Sequence, residues 1–387
     1  MFNIDHFLFF GLLYLVSFVF LLIKPSYIRN HFWRSSLLFI VTYTVVVGCR
    51  YGWGHDYFAY YTRYYEQHFK IGSDYGYYLL NSFEKFLGLT FEEHILLCCF
   101  FYVFCSFYLI RKTGVANAYM LTLFLPVTLM YSTYAIRQYL AISFIYLFIG
   151  FVIFDENNKK FKLLRIAIII TLLLAAYLIH AGSIAFAIPF FVFLKLKNVK
   201  VLPYNIGIIG YLIVILFTNV FSSFFNDIIG NYITILSFDN HFQSYVENSE
   251  IWFGEDAENE SVYGYRGIYQ VFSYLSNIGI IYLCGKSLSI FKNRNISILY
   301  NFYVIFLIVR EIFFTQEIMR RIIDPFVILF FIPLGYAVYI FLKSKLFTKT
   351  KYKYIYYVII VLSLFGVYYP QFKFLISFAP ADFIWNH

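Results

Sequence analysis

The sequence predicts an all-α, polytopic integral membrane protein. Three observations carry that prediction. Of 387 residues, 61% are hydrophobic and only 13% charged, with a mean hydropathy of +0.71, a balance that a water-soluble core of this size would not show. The apolar runs are close to the roughly 20 residues that a helix needs to cross the hydrocarbon core. They also lack the alternating pattern of transmembrane barrel strands.

The runs fall at 7–23, 36–49, 94–110, 117–133, 135–154, 164–180, 182–194, 204–224, 267–285, 296–313, 322–342 and 354–370, so about twelve crossings are expected in a single membrane domain. Phe7–Ile23 has no basic stretch before it and no small-residue cleavage site after it, which predicts a retained first helix. Arg165–Leu194 is long for one crossing and short for two, and His180–Ser183 offers the bend. Cys49, Cys98, Cys99, Cys105 and Cys284 lie in or beside apolar runs without a CxxC pair, and are expected to be small core residues.

A net charge of +9 could point to nucleic acid, but in a membrane chain its placement matters first. With two crossings in 165–194, the connections 24–35, 111–116, 155–165, 195–200, 286–295 and 343–353 fall on one side and hold 20 of the 30 Lys and Arg. Asp155 and Glu156 are the only acids among them. The excess of positive charge marks that side as cytoplasmic and puts both termini outside. It also puts segment 50–93, the bend at 180–183, QEIMRR at 316–321 and the long connection 225–265 on the outer face, where chemistry or recognition is expected.

Between Arg50 and Glu92 the chain is too polar to cross a membrane and too aromatic for a simple solvated loop. Tyr57, Tyr60, Tyr61, Tyr64 and Tyr65 recur at helical spacing, which predicts an interfacial helix. A belt at the headgroups explains the tyrosines by themselves. Arg50 and Asp56 leave two readings open, a local ion pair or a site.

AIRQYLA, 135–141, sets Arg137 beside Gln138 at the outer start of the fifth run. An arginine there can snorkel to lipid phosphate, but the adjoining Gln138 adds donors suited to anionic oxygens and favours a site. His180 at the bend is either a hydrogen-bonded structural residue or a functional one on the same face as the arginines. It has no second histidine at ligand spacing, so no zinc site is expected.

Arg310–Phe326, REIFFTQEIMRRIIDPF, is the densest charged cluster near a boundary. Glu317 with Arg321 and Arg320 with Asp324 are four residues apart and could pair along one helix. Adjacent arginines cannot point the same way, so one of Arg320 and Arg321 should face the interior and need an anionic partner. The acidic run 247–260 carries Trp252 and Phe253, which could stack on sugar rings, though most such runs are solvated surface.

In order along the chain, RYGWGHDYFAYY at 50–61, GYYLLNSFEKFLGL at 76–89, YAIRQYLAISF at 134–144, AAYLIHAGSIAF at 175–186 and MRRIIDPF at 319–326 resemble the EpsG-type or Wzy-like polymerases. These join lipid-linked oligosaccharide repeats into exopolysaccharide, capsule or O-antigen chains. The sequence departs from their pattern at His55, at Ser73–Tyr75 and at Asp324–Pro325.

The resemblance implies a glycan growing on polyprenyl diphosphate at the outer face of a bacterial cytoplasmic membrane. Arg50, Arg137, Arg320 and Arg321 would then bind the departing diphosphate, since a guanidinium fork matches phosphate oxygens. Asp56 or His180 would be the base, with Tyr57, Tyr60 and Gln138 contacting substrate. A diphosphate is a good leaving group, so one base suffices where a glycosidase needs two carboxylates. No DxD motif appears, and neither a metal nor another cofactor is expected. The implied partners are the lipid-linked substrate, membrane lipid, and a chain-length regulator or other assembly proteins, with no nucleic acid.

Two rivals remain. A flippase or exporter of the same lipid would also need outer arginines, but alternating access calls for charge near the midplane and on the inner half. Another membrane transferase is the second. An acyltransferase would need its histidine reachable from the cytoplasm, the wrong side for His180, whereas a glycan ligase shares the donor and is not distinguished.

Overall fold

The computed structural model describes residues 4–53, 56–66, 75–115, 117–154, 162–183, 200–218, 220–221, 224, 268–314, 316–344, 352–375 and 382–386. His55, Asp74, the connection 225–265 with Trp252 and Phe253, and all but the start of the expected crossing 182–194 lie outside them.

The chain forms a helical bundle. In order its helices are α1 (Ile4–Val19), α2 (Pro25–Asn30), α3 (Phe32–Gly48), α4 (Tyr57–Glu66), α5 (Tyr75–Phe86), α6 (Phe91–Lys112), α7 (Ala118–Tyr134) and α8 (Ile136–Phe154), followed by α9 (Lys162–Ile179) and α10 (Tyr204–Leu216). The remaining helices are α11 (Ile268–Ile290), α12 (Arg294–Ile312), α13 (Glu317–Ile328), α14 (Phe331–Lys343) and α15 (Lys353–Leu375). Five segments are long and apolar enough to cross a membrane, namely Ile4–Leu22, Phe91–Lys112, Arg294–Ile312, Met319–Lys343 and Lys353–Lys373, and five more apolar helices are shorter. An all-α membrane protein is therefore supported. The expected number of crossings is not established among the described residues.

Helices α3, α6, α8 and α9 pack in sequence against one another, and α7 packs on α14, which joins this group to α11, α12 and α15. Outward faces are rows of apolar side chains, such as Leu8, Leu12 and Leu15 on α1 or Val358, Val361 and Phe365 on α15. Such faces suit lipid, which costs them nothing. All five cysteines are buried and free, as small core residues.

The bundle has two chemically distinct ends. At one, Arg111 and Lys112 close α6, Arg165 donates to the Phe151 carbonyl at 3.1 Å, and Asn301 of α12 donates to the Lys200 carbonyl ahead of α10 at 2.9 Å. At the other, strand β1 (Arg50–Tyr51) pairs antiparallel with β2 (Asp382–Phe383). Phe9 and Phe10 of α1 meet Phe383 there, so both chain ends lie at this second end.

Two elements depart from expectation. Helix α5 was not foreseen. The run 322–342 is broken into α13 and α14, because Pro333 cannot donate to the Leu329 carbonyl. Pro333 instead sits in the first turn of α14, where its missing N–H costs little.

Candidate functional site

Helix α4 is laid across the second end of the bundle by its own spacing. Tyr57, Tyr60 and Tyr64 recur every three or four residues and are buried, while Phe58, Tyr61 and Tyr65 face out. The Tyr64 hydroxyl donates to the Leu89 carbonyl at 2.9 Å, and the Phe91 amide donates to the Tyr65 hydroxyl at 3.2 Å. The expected helix is present, with one tyrosine face turned into protein.

The segment α4 docks on is itself tightly specified. Gly88, at φ +78, turns the chain out of α5 in the left-handed region open to glycine. A capping box then starts α6, with Glu93 N–H donating to the Thr90 hydroxyl and Thr90 N–H to the Glu93 carboxylate. At Gly76 a Cβ would come within 2.9 Å of the Leu178 backbone, so glycine lets α5 approach the end of α9. His180 follows two residues later, half-buried, at the head of the turn Ala181–Ser183 that also packs on α8.

Arg137 and Gln138 open α8, and their placement depends on a proline in another helix. Pro325 has no N–H to give the Arg321 carbonyl four residues back. The Gln138 side-chain amide donates to that carbonyl instead, at 2.6 Å. One helix start is thereby tied to the arginine pair of α13. The half-buried Arg137 and exposed Arg321 are brought to the same part of the molecule.

Tyr60 marks where these groups converge. Burial raises the pKa of its hydroxyl, while Arg137, Arg63 and Arg321 pull it down and Asp56 pushes it up, so all four lie within electrostatic reach. Tyr60 is 6% exposed, and its ring meets that of Tyr77 edge-on at 6.0 Å. The Tyr57 hydroxyl is buried without a hydrogen-bond partner among the described residues.

Arg50 lies deeper. It is 1% exposed, and its guanidinium donates to the Val47, Trp53 and Thr133 carbonyls and to Cys99 Sγ. No ion pair joins it to Asp56. It lines a cavity of about 10 Å³ with Tyr43, Tyr102, Ser132 and Tyr139, room for about one water. A buried cation held by carbonyl dipoles keeps its charge, with no acid paired to it among the described residues.

The arginine pair of α13 splits as helical geometry requires. Arg320 is buried, donates to the Phe314 carbonyl at 3.3 Å and lies over the Phe314 ring, while Arg321 is exposed. The possible pairing of Arg320 with Asp324 is not made. Asp324 accepts from Arg310 of α12 at 2.7 Å, and Arg310 also lies 3.6 Å from Glu311. The pairing runs between helices and locks α12 to α13.

Sequence reasoning passed over a second buried polar chain. Glu84 on α5 meets His94 Nδ1 at 2.6 Å, and His94 Nε2 meets the Tyr77 hydroxyl at 3.0 Å. Exposures are 5%, 0% and 6% for Glu84, His94 and Tyr77. A signal existed in the seven-residue step from Tyr77 to Glu84, which puts both on one helical face. Its partner on α6, however, is a long-range contact. Among the described residues no group of three His, Cys, Asp or Glu side chains is arranged to hold a metal ion.

No curated protein and no solved structure matches the chain. The EpsG family model does, over residues 33–380, which includes every residue of the arrangement above. The chain belongs to the EpsG family.

Proposed function

We propose that the protein is a polysaccharide polymerase that joins polyprenyl-diphosphate-linked oligosaccharide repeats into exopolysaccharide, capsule or O-antigen chains at the outer face of a bacterial cytoplasmic membrane. Family membership supports the polymerase class. The carrying observation is the Gln138–Arg321 bond, which ties two arginine-bearing helix starts together beside the tyrosine face of α4. The orientation rests on charge, since the connections at the opposite end carry most Lys and Arg.

In this reading a sugar hydroxyl of the acceptor attacks the anomeric carbon of the donor. A new C–O bond forms as the bond from that carbon to the diphosphate oxygen breaks, and the electron pair leaves with the diphosphate. Arg137, Arg320 and Arg321 stabilise the departing charge. Arg50 adds its field from behind, where a low dielectric makes an uncompensated charge felt at a distance. Asp56 or His180 takes the hydroxyl proton, and Asp56 is supported by its reach to the same tyrosine as the arginines. Tyr57 and Tyr60 contact the substrate, and Gln138, expected from sequence to do so, instead holds Arg321 in place.

The test is a deletion strain carrying wild type, Arg137→Ala, Asp56→Ala or His180→Ala, with membrane levels checked. Single repeats accumulating on the outer leaflet at normal protein level support polymerisation. Unchanged long chains in all three variants reject this site. Repeats trapped inside the cell point to a transporter, and long lipid-linked chains that are not transferred onward point to a ligase.

A further inference from the structure

Three side chains between α5 and α6 form a continuous hydrogen-bonded line that the roles above do not use. Glu84 Oε2 stands 2.6 Å from His94 Nδ1, and His94 Nε2 stands 3.0 Å from the Tyr77 hydroxyl. The carboxylate fixes the tautomer. It can only accept, so Nδ1 carries the proton and Nε2 is left as acceptor for the Tyr77 O–H. The Tyr77 oxygen then has lone pairs to offer to a third group.

Its surroundings indicate what that group is. The Tyr77 ring meets Tyr60 at 6.0 Å, and Arg137 acts electrostatically on both hydroxyls, so the end of the line lies beside the tyrosine that the arginines also reach. Burial holds the Tyr77 pKa well above its ordinary value, which keeps the hydroxyl protonated and able to pass a proton on. One turn along the same face of α5, Asn81 is 6% exposed with its Oδ1 unpartnered among the described residues, an acceptor unused within the protein. A line that served packing alone would need neither the Arg137 field nor a spare acceptor beside it.

We propose that Tyr77, His94 and Glu84 form a proton relay that deprotonates the acceptor sugar hydroxyl in the polymerase reaction. The step rests on the function proposed above. As the sugar oxygen bonds to the anomeric carbon, its proton passes to the Tyr77 oxygen and the Tyr77 proton passes to His94 Nε2. The electron pair of the broken C–O bond leaves on the diphosphate. Glu84 stabilises the imidazolium, which returns its proton along the same line to water once the product moves off. The arrangement has the logic of a hydroxyl, imidazole and carboxylate acting as one unit. The relay thus replaces Asp56 or His180 in the role of base given above, and Asp56 orients the hydroxyl.

The test uses the full-length protein in lipid nanodiscs with a synthetic polyprenyl-diphosphate-linked repeat as donor and acceptor. Tyr77→Phe keeps the ring and removes only the hydroxyl. It should lower kcat about a hundredfold or more, the usual scale of general base catalysis, with KM unchanged and only a modest fall in Tm, since His94 Nε2 loses its donor. Glu84→Gln and His94→Gln should each lower kcat. The double variant Tyr77→Phe/His94→Gln should be no slower than Tyr77→Phe, because groups acting as a unit are not additive. A structural role would raise KM or multiply the losses. If His94→Gln does not fold, the same comparison is made with Glu84→Gln. Wild-type extension with full-rate Tyr77→Phe overturns the relay alone. Wild-type protein that extends no chain overturns the polymerase reading and the relay with it.

Discussion

Arg111, at the end of α6, lies open to solvent with its guanidinium 5.6 Å from the Trp33 ring, whereas Arg50, at the opposite end, is 1% exposed and surrounded by carbonyls. Lys112 rests similarly over Tyr108 and Phe151. Cations at that end sit at chain reversals, where water and ring faces hold them at little cost. At the other end they are graded in depth, from buried Arg50 and Arg320 through half-buried Arg137 to exposed Arg321. Removing such charges from water costs several kcal/mol per ion. On the function proposed above, the difference separates charge that orients the chain in a membrane from charge assembled to meet an anion.

Substitutions can break or sharpen that contrast. The largest effect is expected from Arg137→Ala. Losing two charge-assisted hydrogen bonds to diphosphate, about 1.5–3 kcal/mol each, should lower polymerisation roughly 10²- to 10⁴-fold in an assay with purified protein. Arg137→Lys keeps the charge but not the fork, and should recover only part of that loss. Asp324→Asn leaves Arg310 half-answered in a confined site and should cost about 3 kcal/mol, read as a lower Tm in detergent.

Gln138→Ala leaves the Arg321 carbonyl without a donor and should cost about 1–3 kcal/mol. The Pro325→Ala change is the sharper probe. Its restored N–H can reach Arg321 along the helix, so it should offset much of the Gln138→Ala loss, as a double-mutant cycle would read. The smallest effect is expected from Arg111→Ala, about 0.5 kcal/mol or less in stability, with activity unchanged.

Much of this was legible in sequence. Apolar run length predicted the helices, and the spacing of Tyr57, Tyr60 and Tyr64 predicted a helix, though not that this face would be buried in protein. Adjacency of Arg320 and Arg321 predicted that one would be buried, because neighbours on a helix diverge by about 100°. What sequence could not supply was partner choice between helices. Asp324 has Arg320 at helical spacing, yet it pairs with Arg310, because the packing of α12 on α13 offers a shorter reach. Gln138 reads as a substrate donor until Pro325 is seen to leave a carbonyl unanswered beside it. Arg50 reads as a surface group beside Asp56, and only the fold shows Thr133 and Cys99 closing over it. His94 lies outside every motif, and its contact with Glu84 depends on the turn at Gly88.

The central claim is that the converging arginines act on a lipid-linked donor, and the direct measurement is the chain-length distribution made by purified protein from lipid-linked repeats. Wild type and Arg111→Ala should both give long chains, and Arg137→Ala, at equal protein and equal Tm, should leave single repeats. Wild-type chain lengths and rates from Arg137→Ala would contradict the account.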